Sequence, residues 1–223
     1  MTRFAITLAA GVSALALASA AQAADLIISE PVVGVVESTG NWDGMFIGVF
    51  GGYGWGTATA DLPALFPTSG DGTLDLAGWL VGIDAGANFY LSDGIVAGIV
   101  GDIAWSDISG EDAAGAGAPT TADIDWVGSV RGRIGFDGGA FMPYLTGGLA
   151  VAGATVNDGV ADTNTHIGWT VGAGVEVAAT EELSIDLQYR YSDYGSQDYT
   201  LAAGVVGVGL TTHQVTAGLH WNF

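Results

Sequence analysis

The residues best suited to chemistry in this chain are three histidines, His166, His213 and His220, and a scatter of carboxylates and hydroxyls. A hydrolytic centre would need a hydroxyl, an imidazole and an acid converging at one depth. His166 and His213 fall near the same end of their segments, but by alternation one faces inward and the other outward, so no such set converges. Catalysis is therefore the least favoured reading. Asp158, Asp162 and Asn164 are oxygen ligands of the kind that hold calcium, yet their spacing lacks the full set of a calcium loop; they read as solvated groups. The chain has no cysteine, which removes thiolate chemistry and any disulfide framework. No metal site and no cofactor is expected.

The charges that do recur in a pattern are Arg131, Arg133 and Arg190 with Asp84, Asp102, Asp125, Glu176 and Asp186. Each sits at the polar position of a segment in which apolar residues take every second place. Cations and carboxylates on one parity suit a shared, enclosed interior, where each charge needs a partner. Two readings stay open: a polar core that pins strand register and excludes water, which is preferred, and a charged constriction that selects ions.

The elements that would position these charges are strands. Period-two alternation is clearest at Leu183–Ser192, where Leu183, Ile185, Leu187, Tyr189 and Tyr191 alternate with Ser184, Asp186, Gln188, Arg190 and Ser192. Similar segments lie at about 42–57, 75–90, 95–106, 123–136, 141–156, 166–178 and 212–223, which makes eight. Short turns such as Ser92-Asp93-Gly94, Asp137-Gly138-Gly139 and Ala179–Glu182 alternate with longer polar stretches at 58–74, 107–122, 157–165 and 193–211. That alternation, with an even strand count and about ten residues per span, predicts an all-β, eight-stranded antiparallel up-and-down transmembrane barrel with short periplasmic turns and external loops. Trp42, Trp55, Trp105, Trp126 and Trp221 lie near predicted strand ends and read as an interfacial aromatic girdle.

Composition agrees. Mean hydropathy is +0.43 although no stretch after the N-terminus forms a continuous apolar helix, and 37 glycines suit a narrow interior. Asp and Glu number 24 against four Lys and Arg, all four arginines, for a formal charge of −20. Such a chain is repelled by nucleic acid, and that class is excluded. Residues 1–23 read as a secretory signal peptide: Arg3, an apolar run, then Ala21-Gln22-Ala23 as cleavage site. Residues 24–41, with Pro31 and two glutamates, read as a periplasmic linker, and 42–223 as the barrel.

The final segment alternates to the last residue, with Val215, Ala217, Leu219, Trp221 and Phe223 on one parity. Thr216, Gly218, Trp221 and Phe223 resemble the C-terminal recognition signal of bacterial outer-membrane barrels: a polar residue, a glycine two later, and two aromatics ending the chain. Val130–Val151 (VRGRIGFDGGAFMPYLTGGLAV), Gly168–Gly195 (GWTVGAGVEVAATEELSIDLQYRYSDYG) and Trp42–Gly56 resemble the small eight-stranded outer-membrane proteins of alphaproteobacteria, the Omp25/Omp31-like porin-family group. This chain departs from the group in having no lysine, and its first, second and fourth long loops match nothing in it. The resemblance covers roughly residues 42–223. It implies an integral protein of the Gram-negative outer membrane with a role in envelope integrity, in some members with host contact, and it assigns no catalytic residues.

The expected function is accordingly a structural barrel whose lumen is largely plugged by charged side chains. It would contact outer-membrane lipid and lipopolysaccharide, and meet the barrel-assembly machinery through its last strand. A narrow porin-like channel for small solutes and a loop-mediated adhesin or receptor are the alternatives. No sequence feature specifies an oligomer.

Overall fold

The structure, a computed structural model, describes residues 41–112 and 119–223. The expected signal peptide and all of the expected linker except Asn41 lie outside the described residues. The strands are β1 (Gly44–Ala60), β2 (Thr73–Ser92), β3 (Ile95–Asp112), β4 (Thr120–Phe136), β5 (Phe141–Asn157), β6 (Ala161–Ala178), β7 (Leu183–Leu201) and β8 (Gly204–Asn222). Each pairs antiparallel with its sequence neighbours, and β1 pairs with β8 to close the ring. Closure leaves no lipid-exposed edge within the membrane, where an unpaired backbone group has no water to turn to.

Register fixes the shape. The path Gly44, Asn88, Gly98, Arg133, Thr146, Gly172, Arg190, Gln214 runs straight across successive pairs and returns to β1 at Gly54, ten residues beyond its start. Eight strands with that stagger tilt by about 40° and enclose an interior just wide enough for side chains to fill.

The outer wall is banded. Trp55, Trp79, Trp105, Trp169, Tyr53 and Tyr191 form an upper aromatic belt, and Phe89, Phe136, Phe141, Trp221 and Phe223 a lower one. On β2 the belts are marked by Trp79 and Phe89, and on β4 by Trp126 and Phe136, in each case ten residues apart. At that tilt, ten residues span about 25 Å, the height of an outer-membrane apolar band. Between the belts the exposed residues are Val49, Val81, Ile83, Ile99, Ile103, Val130, Ile134, Leu145, Val171, Leu187 and their like.

Above the upper belt the structure departs from the sequence reading. Of the four polar stretches expected as long loops, the first remains a connection, from Asp61 to Gly72, whereas the other three are mostly strand among the described residues: β3 runs to Asp112, β6 starts at Ala161, and β7 and β8 are joined by the tight turn Ala202–Ala203. These extensions look loop-like because their outer face meets water. Thr59, Ser109, Glu111, Thr163, Thr165, Asp198 and Thr200 point outward there, where the membrane band carries aliphatic residues. Bulges between Ile124 and Trp126 and between Asp193 and Ser196 also reset parity, whereas the irregularity between Trp105 and Ile108 leaves the parity of β3 unchanged.

Candidate functional site

Between the belts two hydrogen-bonded clusters of charged side chains, one above the other, face into the lumen. Asp102 on β3 lies in the upper one. Its Oδ1 receives Arg131 Nη2 at 2.7 Å and Arg190 Nη1 at 2.9 Å, and it also accepts the Ser129 hydroxyl. Arg131 donates onward from Nη1 to Gln188 Oε1 at 2.9 Å and from Nε to the Ser129 hydroxyl at 2.8 Å. Arg190 holds Gln214 Oε1 with Nη2 at 2.7 Å. Below, Arg133 Nη1 meets Glu176 Oε2 at 3.0 Å and its Nε donates to Asn88 Oδ1 at 2.7 Å. Its guanidinium carbon is 4.7 Å from the ring centre of Phe46 and 5.3 Å from that of Tyr144. Tyr144 donates its hydroxyl to Asp186 Oδ1 at 2.7 Å and accepts Gln188 Nε2 at the same distance, so its ring, packed against Arg133, is where the two levels meet.

His220 completes the lower level. Its Nε2 is 3.1 Å from Asp84 Oδ2 and its Nδ1 is 3.0 Å from Glu176 Oε1. A carboxylate faces each ring nitrogen, and only the doubly protonated ring donates to both. The lumen thus holds three guanidiniums and the His220 imidazole against Asp84, Asp102, Glu176 and Asp186. The space left among these side chains is a cavity of about 20 Å³, close to the room one water molecule needs. Among the described residues, Asp84 Oδ1, Asp102 Oδ2 and Arg133 Nη2 are buried without a hydrogen-bond partner.

Apolar groups lie beyond these clusters at both ends. Towards the periplasm, Trp42 packs with Val96, Met142 and Tyr144 and donates its indole N–H to Gly139 O at 3.2 Å. Towards the outside, Leu76, Leu80, Ile108, Ile124, Val127, Val208 and Leu210 form a buried apolar throat. Leu65 and Phe66, from the β1–β2 connection, are buried in the same cluster. Asp112 pins that connection by accepting from the Thr68 amide at 3.1 Å and from the Thr68 hydroxyl.

A banded eight-stranded wall around a charged lumen is the arrangement of an outer-membrane barrel, and comparison with known proteins agrees. The chain matches the family described as "Outer membrane protein beta-barrel domain" over residues 7–223. It belongs to that family. The 25 kDa outer-membrane immunogenic protein of Brucella abortus is 34% identical over 215 residues, 94% of this chain and 93% of the relative. The 22 kDa outer membrane protein of Rhizobium leguminosarum bv. viciae is 36% identical, covering 84% and 81%. Among solved structures, Neisserial surface protein A superposes with a TM-score of 0.51 at 19% identity, covering 81% of this chain and 98% of that one, a likeness of fold. The family and the fold place the protein in the outer membrane.

Within this outer-membrane barrel, Arg131, Arg133, Arg190, Asp84, Asp102, Glu176 and Asp186 all turn into the lumen. Asp125 does not. It is the extra residue of the β4 bulge, exposed on the outer face, where Thr155 donates its hydroxyl to it at 3.0 Å. Uninterrupted parity from Ser129 would have carried it inward; the bulge reverses it. Of the expected girdle, Trp55, Trp105 and Trp221 are exposed on the wall, and Trp126 shares that face, packed over Gly153. Trp42 is the exception, only 4% exposed in the periplasmic mouth. It lies before β1, where no strand alternation governs its direction. Of the C-terminal residues, Phe223 exchanges two backbone bonds with Met45, at 2.9 and 3.1 Å, and so joins the end of the chain to β1. Trp221 faces lipid, whereas Thr216 and Gly218 face the lumen.

The histidines divide as parity predicts. His166 is buried beside Tyr199, with Nε2 2.8 Å from its hydroxyl, and His213 lies outside, 2.7 Å from the Tyr189 hydroxyl and stacked on Trp55. Neither has a carboxylate in hydrogen-bond reach among the described residues. Ser184, Glu176 and His220 do meet, but Ser184 donates at 2.6 Å to Glu176 and not to the imidazole, and all three are buried. His220, Asn88, Gln188, Gln214 and Tyr144 are cluster members that the sequence reading missed. His220 was detectable, as it holds the polar parity between Leu219 and Trp221. Asp158 and Asp162 bridge strands: Asp158 accepts from Ala202 and Ala203 amides at 2.8 and 2.9 Å, and Asp162 from Thr200 at 2.6 Å. Partial burial opposes charge on Asp158, but the amides of Ala202, Ala203 and Val160 outweigh it and hold the carboxyl below its usual range.

Proposed function

We propose that this protein is a structural barrel of the outer membrane that stabilises the envelope, with a lumen closed to solutes. The observation that carries this reading is the stacking of three buried layers along one axis. The Trp42 cluster lies below, the ion-paired clusters between the belts, and the apolar throat with Leu65 and Phe66 above. A conducting pore needs a continuous wet path, and an eight-stranded interior is already the size that side chains fill. The same stacking argues against catalysis, since the one place among the described residues where a hydroxyl, a carboxylate and an imidazole meet has no approach for substrate. Membrane lipid and lipopolysaccharide are then the partners of the outer wall, and the assembly machinery that of β8. The test is single-channel recording of the refolded protein in planar bilayers. The baseline stays flat; a stable open state in the nanosiemens range would refute the closed lumen.

A further inference from the structure

One seam in the barrel is left unzipped. The β6–β7 register runs from Trp169↔Asp193 to Ala178↔Ser184 and stops there. Yet β6 begins at Ala161 and β7 ends at Leu201. Across the same stretch β6 stays paired with β5, from Val151↔Ile167 to Asn157↔Ala161, and β7 with β8, from Ser196↔Gly209 to Leu201↔Gly204. A strand directs its N–H and C=O groups alternately to its two neighbours. Half of the main-chain groups of 161–168 and 194–201 therefore turn towards a seam that no ladder fills. The separation begins at the β7 bulge, where Gly195 has φ 65°. Gly168 faces it, with no room for a Cβ against the Asp193 carbonyl.

The two banks of this seam differ. The β7 bank is covered by side chains from β6. Asp162 accepts from Thr200 N, Asn164 Nδ2 donates to Asp198 O at 3.2 Å, and His166 Nδ1 lies 3.4 Å from Gly195 O. No side chain of β7 returns the favour to the backbone of 161–168 among the described residues. The open bank is thus β6, above Trp169 and clear of the apolar band. Beside it runs an exposed outward row, Ala161, Thr163, Thr165 and Ile167, three of them β-branched and suited to cross-strand packing. The seam is flanked by Asp158, Asp162, Asp193 and Asp198. Nothing cationic competes for them on the outer surface, because the chain has no lysine and every arginine of the described residues lies in the lumen.

An unpaired strand edge recruits an extended chain by main-chain hydrogen bonds, and the carboxylates set the sign of that chain. We propose that the β6 edge Ala161–Gly168 is a docking strand for an extended, lysine- or arginine-bearing segment of a partner protein. That segment adds beside β6, displaces Asp162 and Asn164 from the β7 bank, and meets their freed polar groups with its cations. The inference does not depend on the lumen being closed.

The test uses the refolded barrel in nanodiscs of zwitterionic lipid and a labelled ten-residue peptide of alternating lysine and threonine. A second peptide carries N-methyl groups on alternate amides, which keeps its charge but removes its ladder. Fluorescence anisotropy should show the first peptide binding at least about ten-fold tighter than the second, a difference of about 1.4 kcal/mol. Amide exchange in 161–168 should slow only with the first, and D158N/D162N/D198N should weaken its binding several-fold. Absence of binding, equal binding of the N-methylated peptide, or protection confined to other residues would each overturn the proposal; equal binding would leave only general attraction of a basic peptide to an acidic surface.

Discussion

Replacing Asp102 by leucine removes the carboxylate that two buried guanidiniums share. Arg131 then keeps Ser129 and Gln188, and Arg190 keeps Gln214, all neutral partners. The side chains of Asp102, Arg131 and Arg190 are 1%, 4% and 5% exposed, so water does little to compensate. Breaking a buried pair by deleting one partner costs about 3–5 kcal/mol, and here a single deletion leaves two charges uncompensated, which puts D102L at the upper end of that range. Arg190→Leu is milder. Asp102 retains Arg131 and Ser129, and the main loss is the partner of Gln214, about 1–3 kcal/mol. The double variant D102L/R190L leaves one orphaned guanidinium instead of two, so it should be less destabilised than the sum of the single variants, by about 1–3 kcal/mol. The assay is urea unfolding of the refolded protein in lipid vesicles, followed by tryptophan emission. A cost for D102L below about 1 kcal/mol, strict additivity in the cycle, or an unchanged melting point for Arg190→Leu would each show that the charges are not held as one network.

Four further outcomes follow from the same geometry. Trp42→Ala empties the periplasmic mouth and should lower stability by about 3–5 kcal/mol, measured by urea midpoint, without opening conductance, because the apolar throat remains. Gly174→Val places a Cβ 2.5 Å from the hydroxyl of Tyr144; it should cost about 1–3 kcal/mol by overpacking and, in a crystal structure, displace Tyr144 from Asp186. Asp158 has its carboxyl lowered in the folded state, so its contribution is present above the ordinary carboxylate range and is lost as pH falls through its own lower value. The protection of the Ala202 and Ala203 amides relative to their intrinsic exchange rates should therefore fall on acidification, and Asp158→Asn should show the lower protection already at neutral pH. Deleting Trp221–Phe223 removes the two backbone bonds to Met45 and should slow insertion by purified assembly machinery, read as loss of the heat-resistant folded band.

How far the sequence disclosed this fold depends on which solvent each residue faces. Leu183–Ser192 could be read directly, because lipid outside and charge inside give the alternation its greatest contrast. The extensions above the belt could not, since water outside and an apolar core inside invert the pattern, and glycine, alanine and threonine blur it further. The Trp105–Ile108 and Ile124–Trp126 bulges add a register change that carries no residue signature, and Asp125 was misplaced for that reason. Trp42 was misjudged on different grounds: a tryptophan near a strand end suits an interface, and only the tertiary contact with Met142 and Gly139 decides otherwise. The arginines and their acids were legible through parity. Which acid meets which arginine was not, because Asp102 and Arg190 stand 88 residues apart and are brought together by stagger across the lumen.

The change in the interior, from charged between the belts to apolar above them, follows from what surrounds the wall. Within the membrane the outside is as apolar as any core, so transferring Leu or Val from the wall to the lumen gains little, and cohesion must come from polar contacts that lipid cannot offer. Asp102, Arg131, Arg190, Glu176 and Asp186 supply it there. Above Trp79, Trp105 and Trp169 the wall meets water, burial of apolar groups is again favourable, and the interior turns to Leu76, Ile108, Ile124, Val208 and Leu210. The switch occurs within a few residues on several strands: on β8 from Gln214 to Leu210, on β3 from Asp102 to Ala104 and Ile108, on β4 from Ser129 to Val127 and Ile124. A pore would require the polar lining to continue through the external section. Here the two sections obey opposite solvent rules, and the upper one is built like the core of a soluble β protein, which is why the strands can run well beyond the height that the membrane demands.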